Sequence, residues 1–285
     1  MVKESDDERE SSSRRKDQKS GFERFIPILL TISIIMAFAI GVLWEKVSNL
    51  EGGSGKTTTA APTAAAQAQA QQPAQVQVTQ DQIKKLFGMD LLKFGDDSKK
   101  ILFVDIEDPS CPYCHIASGK NSELNSQAGD RFKLVADGGT YVAPVSEMRK
   151  MVNSGQASLV YIYTPGHGNG EMGMKSMYCA YEQGKFWEVH DLLYTNDGYN
   201  FLNNTIKNDK TKSQELADFL KSAADSGKLK SCIDSGKYDT RLTNDTQLAS
   251  SLGVSGTPGF FVNTTNFAGA YSWADMKSAV DAALK

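Results

Sequence analysis

The stretch ILFVDIEDPSCPYCH, residues 101–115, decides the reading of this chain. A short apolar run closed by the turn residues Asp108, Pro109 and Ser110 predicts a buried strand over 101–106. Cys111-Pro112-Tyr113-Cys114 follows at once and opens a helix. Two cysteines three apart in a first helical turn lie close enough to form a small disulfide ring. At the helix N-terminus, free N–H groups and the macrodipole favour a thiolate on Cys111. Pro112 suits the first helical position, where its missing N–H costs nothing. The stretch therefore predicts a redox-active dithiol.

The remaining chain sets the bounds. Its 285 residues, net charge of −3 and 40% hydrophobic content allow one or two domains with a real core and give no sign of nucleic-acid binding. The four cysteines, Cys111, Cys114, Cys179 and Cys232, suit an oxidising compartment.

Residues 1–24 are polar and mixed in charge, which predicts a disordered tail. Phe25–Trp44 carries no charge over 20 residues. A helix of that length spans about 30 Å, the hydrocarbon thickness of a bilayer. The reading is a single transmembrane anchor. Lys3, Arg9, Arg14, Arg15, Lys16, Lys19 and Arg24 precede it, so the N-terminus is expected in the cytoplasm and the rest of the chain outside. Ala37-Phe38-Ala39 resembles a signal-peptidase site, so a cleaved leader is the rival reading. Residues 45–80, rich in Gly, Ala, Gln, Pro and Thr, read as a flexible linker. Within it, Gly53-Ser54-Gly55-Lys56-Thr57 imitates a phosphate loop, but Leu50 stands where the motif wants glycine and no strand precedes it.

Residues 81–285 hold the folded domain. The expected elements are an amphipathic helix over 81–94 (Ile83, Leu86, Phe87, Leu91), the strand 101–106, and a helix from Cys114 to about Gln127. A strand over Phe132–Ala136, a helix over Val145–Asn153 and a strand over Ala157–Thr164 follow. Residues 171–250 read as helical throughout: 171–183, 185–194, 212–225 and 238–252. Strands return at Phe260–Asn263 and Phe267–Tyr271, and a helix over Trp273–Leu284 closes the chain with Met276, Val280 and Ala283 on one face.

At this point the chain resembles the DsbA family of thiol-disulfide oxidoreductases, in the membrane-anchored form of BdbD proteins. The resemblance covers about 95–285 and rests on Cys111-Pro112-Tyr113-Cys114, on GVSGTPGFFVN (Gly253–Asn263), on YCAYEQGKFWEVHDLL (Tyr178–Leu193), and on the helical insert. It implies an α/β, thioredoxin-like fold with an inserted helical subdomain over about 166–250. It also implies a cis peptide at Thr257–Pro258, facing the disulfide. In the family that loop offers backbone groups to an extended substrate segment and keeps metals off the thiols, so Thr257 and Pro258, with Pro112 and Tyr113, are the expected substrate contacts. One departure stands out: strong oxidants of the family often carry His where this chain has Tyr113.

Other candidates follow from position. Asp105, six residues before Cys111 in an apolar strand, is where thioredoxin-like proteins place a buried acid; its raised pKa would let it exchange a proton with Cys114. Otherwise it is a plain strand-edge residue. Glu107 and Asp108 lie closer to the cysteines in sequence and are further candidates to supply charge, read as sitting at the surface. His115, if protonated, would help stabilise a Cys111 thiolate; otherwise it is a solvent-facing helix residue. His167 and His190 read as structural. Zinc at Cys111 and Cys114 would need two further ligands, and there is no second C-x-x-C, so no metal or organic cofactor is expected. Cys179 and Cys232 read as a stapling disulfide, with a second redox pair or two buried thiols as alternatives. The Asn-x-Thr triplets at Asn203, Asn244 and Asn263 are expected by chance.

The expectation is an extracytoplasmic enzyme that forms disulfides in exported, unfolded proteins through Cys111 and Cys114. By resemblance, a quinone-linked membrane protein of the DsbB or VKOR type reoxidises it. The alternatives are a reductase or isomerase, or, from another class, a redox-inactive binding or chaperone module on an anchor.

Overall fold

The computed structural model describes residues 77–285. The anchor predicted over 25–44, the tail before it and the linker up to residue 76 lie outside the described residues. No described helix is long and apolar enough to cross a membrane.

The chain enters through α1, Gln80–Gly88. Thr79 and Gln82 cap it reciprocally: the Gln82 N–H donates to Thr79 Oγ1 at 3.3 Å and the Thr79 N–H to Gln82 Oε1 at 2.8 Å. The predicted helix over 81–94 ends here. Lys93 Nζ donates to the carbonyls of Phe87 and Met89 at the helix end, and Leu92–Phe94 is an edge strand, β1. Three residues are too few to show a period of two, so the sequence read them as helix.

β2 (Ile101–Glu107) and β3 (Ala157–Tyr163) are parallel and buried along their whole length. β4 (Gly259–Val262) runs antiparallel beside β2, and β5 (Thr265–Ala268) beside β4. The sheet order is β1-β3-β2-β4-β5. Near-continuous apolar runs are what a strand covered on both faces requires. One face packs Phe103, Leu159 and Phe260 against Ile116, Met148 and Met276; the other packs Val104, Ile106, Val160 and Phe261 against Ile83, Leu86 and Ala249.

The cysteine helix is shorter than predicted. α2 (Pro112–Ser118) stops at Gly119, whose φ of 69° is left-handed, and α3 (Ser122–Gln127) starts afresh. An ideal Cβ on Gly119 would also lie 2.5 Å from Ala143 Cβ, so glycine is required twice over. The strand expected over Phe132–Ala136 is absent; two 3-10 turns, Asp130–Phe132 and Val135–Asp137, stand there and bury Phe132. α4 (Pro144–Asn153) leads into β3.

Between β3 and β4 lies the helical insert: α5 (Glu171–Tyr181), α6 (Phe186–Leu193), α7 (Asn196–Asn200), a π-helical turn (Phe201–Ile206), α8 (Ser213–Phe219), α9 (Ser226–Asp234) and α10 (Asp239–Ser251). The helix predicted over 212–225 thus stops at Phe219, and α9 is separate. α9 is joined to α5 by the Cys179–Cys232 disulfide. Asp245 of α10 is buried and accepts hydrogen bonds from the Tyr163 N–H (3.3 Å), Tyr178 Oη (2.6 Å) and Arg241 Nε (2.8 Å), which ties the insert to the sheet. α11 (Trp273–Leu284) closes the fold with Met276 and Val280 buried.

Candidate active site

The site is assembled at the carboxyl end of β2. Cys111 sits at the N-cap of α2, and its thiol donates to the Thr257 carbonyl at 3.5 Å. Cys114, one turn on, is fully buried, and its sulfur accepts the Asp108 N–H at 3.5 Å. Both cysteines are free thiols. The Thr257–Pro258 peptide is cis. Tyr113, between the cysteines, is 50% exposed and meets Phe132 edge-on at 5.9 Å.

The two thiols are unlike. A hydrogen bond from Cys114 brings Cys111 down to about 6, against the partial burial that opposes it; Thr257 and the amides of α2 lower it further. The Thr257 hydroxyl is buried with no other partner, so it is available to donate to the thiolate. Burial pushes Cys114 well above the ordinary thiol range, and its role as donor to Cys111 and the nearby Glu107 add to this. A low-pKa sulfur nearer the surface beside a high-pKa, fully buried one is the asymmetry that dithiol exchange uses: the first takes the attack, the second stays with the protein.

The turn between β2 and Cys111 is held by Asp108. Its Oδ1 accepts from the Ser110 N–H (2.8 Å) and hydroxyl (2.7 Å), and its Oδ2 from the N–H groups of Gly166 (2.7 Å) and His167 (2.9 Å). Asn203 of the π-helical turn donates to the Ser110 carbonyl at 3.1 Å. The glycine-rich loop after β3 is thereby drawn against the cis-proline loop: an ideal Cβ on Gly166 would lie 1.8 Å from Thr257 Oγ1.

Asp105 is buried and raised as the sequence reading expects, whereas Glu107 and Asp108 differ from it. Asp105 is fully buried, and burial, then the neighbouring Glu107 charge and a hydrogen bond shared with the Glu107 carboxyl, push it well above the carboxylate range. Glu107 and Asp108, read as surface charges, are also fully buried. Burial raises Glu107 to about 8, against the hydrogen bonds it accepts from Tyr194 (2.6 Å) and Tyr161 (3.0 Å). His115 faces neither solvent nor Cys111. Its ring nitrogens lie 2.8 Å from the Pro109 carbonyl and 3.1 Å from the Tyr194 carbonyl, and burial lowers it to about 4, so it stays neutral and supplies no charge to the thiolate. His190, also buried, stacks on Tyr194 at 4.1 Å, while His167 lies exposed on the glycine-rich loop.

The tyrosines, the Asp108 clasp and Glu107 were missed as site residues. One signal was present: Asp105 and Glu107 share parity with Phe103, so all three point to the strand face that α2 covers.

A buried parallel and antiparallel sheet with a dithiol at the strand ends, a cis-proline loop opposite and a helical insert defines a thioredoxin-like dithiol protein. A family profile described as thioredoxin matches residues 144–282, the part that carries the insert and the cis-proline loop. Among solved structures, a point variant of Wolbachia pipientis alpha-DsbA1 superposes with a TM-score of 0.51 at 17% identity, covering 70% of this chain and 94% of that one. A variant of the same protein with two cysteines replaced gives 0.51 at 16%, covering 72% and 95%. Oxidised BdbD from Bacillus subtilis gives 0.48 at 15%, covering 68% and 92%. The fold is therefore one shared with the two alpha-DsbA1 variants, a thioredoxin-like sheet interrupted by a helical insert. A curated relative, the Na(+)/H(+) antiporter NhaA 3 of Salinispora tropica, is 28% identical over 119 residues, which is 41% of this chain and only 17% of that protein.

Proposed function

We propose that this chain is an extracytoplasmic thiol-disulfide oxidoreductase that forms disulfides in exported proteins, tethered by the apolar segment 25–44 with its N-terminus in the cytoplasm. The observation that carries the reading is the pairing of a lowered Cys111 with a raised, buried Cys114 under the cis-proline loop. A substrate thiolate attacks Cys111 Sγ in the oxidised protein, and Cys114 leaves. A second substrate thiolate then attacks the substrate sulfur of the mixed disulfide and releases Cys111 as a thiolate. A thiolate stabilised at neutral pH stabilises the reduced protein, which makes the disulfide a better oxidant. Thr257, Pro258, Pro112 and the exposed Tyr113 form the face that an extended, unfolded substrate would meet. A membrane partner of the DsbB or VKOR type would restore the disulfide.

The test is the equilibrium potential of the full chain against glutathione, with oxidation of a reduced, unfolded protein as the activity. A value of about −120 mV and activity abolished by Cys111→Ser are expected. A value of about −270 mV would turn the reading to a reductase.

A further inference from the structure

The residue before Cys111 is held by a side chain 93 positions away. Ser110 is fully buried, and its carbonyl stands outside the hydrogen bonds of α2, whose first turn closes on the Cys111 carbonyl instead. A buried backbone carbonyl needs a donor. Here the donor is Asn203 Nδ2, at 3.1 Å, and no other hydrogen bond reaches that oxygen among the described residues. The other side of the same peptide unit is fixed too, because the Cys111 N–H donates to the Asp108 carbonyl at 2.9 Å. The Ser110–Cys111 peptide is therefore pinned on both sides, and with it the direction in which the Cys111 Cα–Cβ bond leaves the chain.

Asn203 is itself held in one orientation. Asn169 Nδ2 donates to its Oδ1 at 3.2 Å, and its own Nδ2 also donates to the Tyr199 carbonyl at 3.1 Å. The Asn169 N–H donates to Ser110 Oγ at 3.1 Å. The backbone that delivers Asn203 is unusual. It is the π-helical turn Phe201–Ile206, a wide turn of a kind frequent at functional sites. Leu202 and Ile206 of that turn are buried in the apolar cluster that holds the insert. The turn ends in two successive left-handed residues that are not glycine, Lys207 (φ 46°) and Asn208 (φ 59°), a conformation the surrounding structure must hold. Asn208 anchors this end to the glycine-rich loop and α5: its Nδ2 donates to the Gly168 carbonyl at 2.9 Å, and its Oδ1 accepts the Met172 N–H at 3.2 Å.

We propose that Asn203 is a positioning residue for the dithiol: its amide holds the Ser110 carbonyl so that Cys111 Sγ stays over the free N–H groups of the first turn of α2 and within reach of Thr257. The inference deepens the exchange reading and rests on it. Asn203 acts through the peptide plane. Rotating that plane swings the Cys111 Cβ and takes the sulfur off the Tyr113 and Cys114 amides, which with Thr257 favour its thiolate. The titratable groups around Cys111 are Cys114 on α2, Glu107 at the end of β2 and Tyr199 on α7. None of them donates to the Ser110 carbonyl, so none takes the place of Asn203.

The test is Asn203→Leu in the full-length chain, which keeps the shape of the side chain and removes the donor. Three quantities are read: the Cys111 midpoint from thiolate absorbance of the reduced protein, the equilibrium potential against glutathione at pH 8, and urea unfolding of both redox forms. The midpoint should rise by about one pH unit from its value of about 6, a tenfold loss of thiolate stabilisation. The potential should fall by about 30 mV, the same tenfold in a two-electron couple. The reduced protein should lose more stability than the oxidised one. A merely structural Asn203 would weaken both forms equally and move neither midpoint nor potential, and that result overturns the assignment. Asn204→Ala, on the exposed side of the same turn, should leave the midpoint at about 6; a rise as large as that of Asn203→Leu overturns the assignment as well. Should Asn203→Leu fail to fold, Asn169→Ala carries the test. It frees the Asn203 amide to turn away and should raise the midpoint by a smaller amount, and an unmoved midpoint there overturns the assignment. A wild type that does not exchange with glutathione overturns the oxidoreductase reading and this inference with it. A wild type that exchanges, beside an unmoved Asn203→Leu midpoint, overturns the inference alone.

Discussion

At the scale of single residues, Thr257 does two opposed things to Cys111. Its carbonyl accepts from the thiol at 3.5 Å and so favours the neutral form, while its buried hydroxyl has only the thiolate to donate to. Thr257→Val keeps the shape and removes the donor. It should raise the Cys111 titration midpoint by about 1–2 pH units, the worth of a hydrogen bond to a charge, about 1.5–3 kcal/mol. Iodoacetamide alkylation of the reduced protein at pH 5–9 reads this directly. Linkage gives a second expectation. Cys111 is lowered from 9.0 to about 6, so in the reduced protein it contributes stability fully present above pH 9 and lost as pH falls through 6. Glu107 is raised from 4.5 to about 8, so its contribution is present below pH 4.5 and lost as pH rises through 8. Urea unfolding of the reduced protein across pH should show both. Cys111→Ser should remove the first and leave the second.

At the scale of elements, the glycine-rich loop after β3 controls the cis-proline loop through contact. Its Gly166 N–H is bound to Asp108 at 2.7 Å, and its Cα packs where a Cβ would overlap Thr257 Oγ1. Gly166→Ala must therefore move the Thr257 hydroxyl or break the Asp108 clasp. Either outcome should raise the Cys111 midpoint and slow glutathione exchange several-fold with little loss of global stability. An unchanged midpoint would show that the loop gives way without disturbing the site. The same scale explains most errors of the sequence reading. The breaks at Gly119 and after Phe219, and the edge strand Leu92–Phe94, are too short or too local to change the apolar period.

At the scale of the whole molecule, the insert and the dithiol are joined by the buried Tyr161–Tyr194–Glu107 triangle but stabilised separately. The Cys179–Cys232 bond spans 53 residues within the insert, outside the dithiol pair. Closing a loop of that size is worth about 4 kcal/mol by the chain-entropy model. Replacing both cysteines with alanine should lower stability by about 2–5 kcal/mol in urea unfolding, while the Cys111 midpoint stays near 6. A shifted midpoint would show that the insert positions the site through this bond.

The sequence by itself determined the strand ending in a C-x-x-C helix, the buried β3, the all-helical stretch between two halves and the closing helix. Each is written in local periodicity and turn chemistry, which act over a few residues. It marked Cys111, Cys114 and Pro258 because their chemistry is tied to position in a motif. Only the tertiary structure decided what surrounds them. Glu107 and Asp108 look like surface charges because nothing local says that Tyr161, Tyr194 and the 165–170 loop will close over them. His115 looks like a helper of the thiolate until burial, outweighing two backbone carbonyls that favour the protonated ring, keeps it neutral. Desolvation and hydrogen-bond partners come from residues up to about 90 positions away in sequence, and so the charge state of the site is a property of the fold.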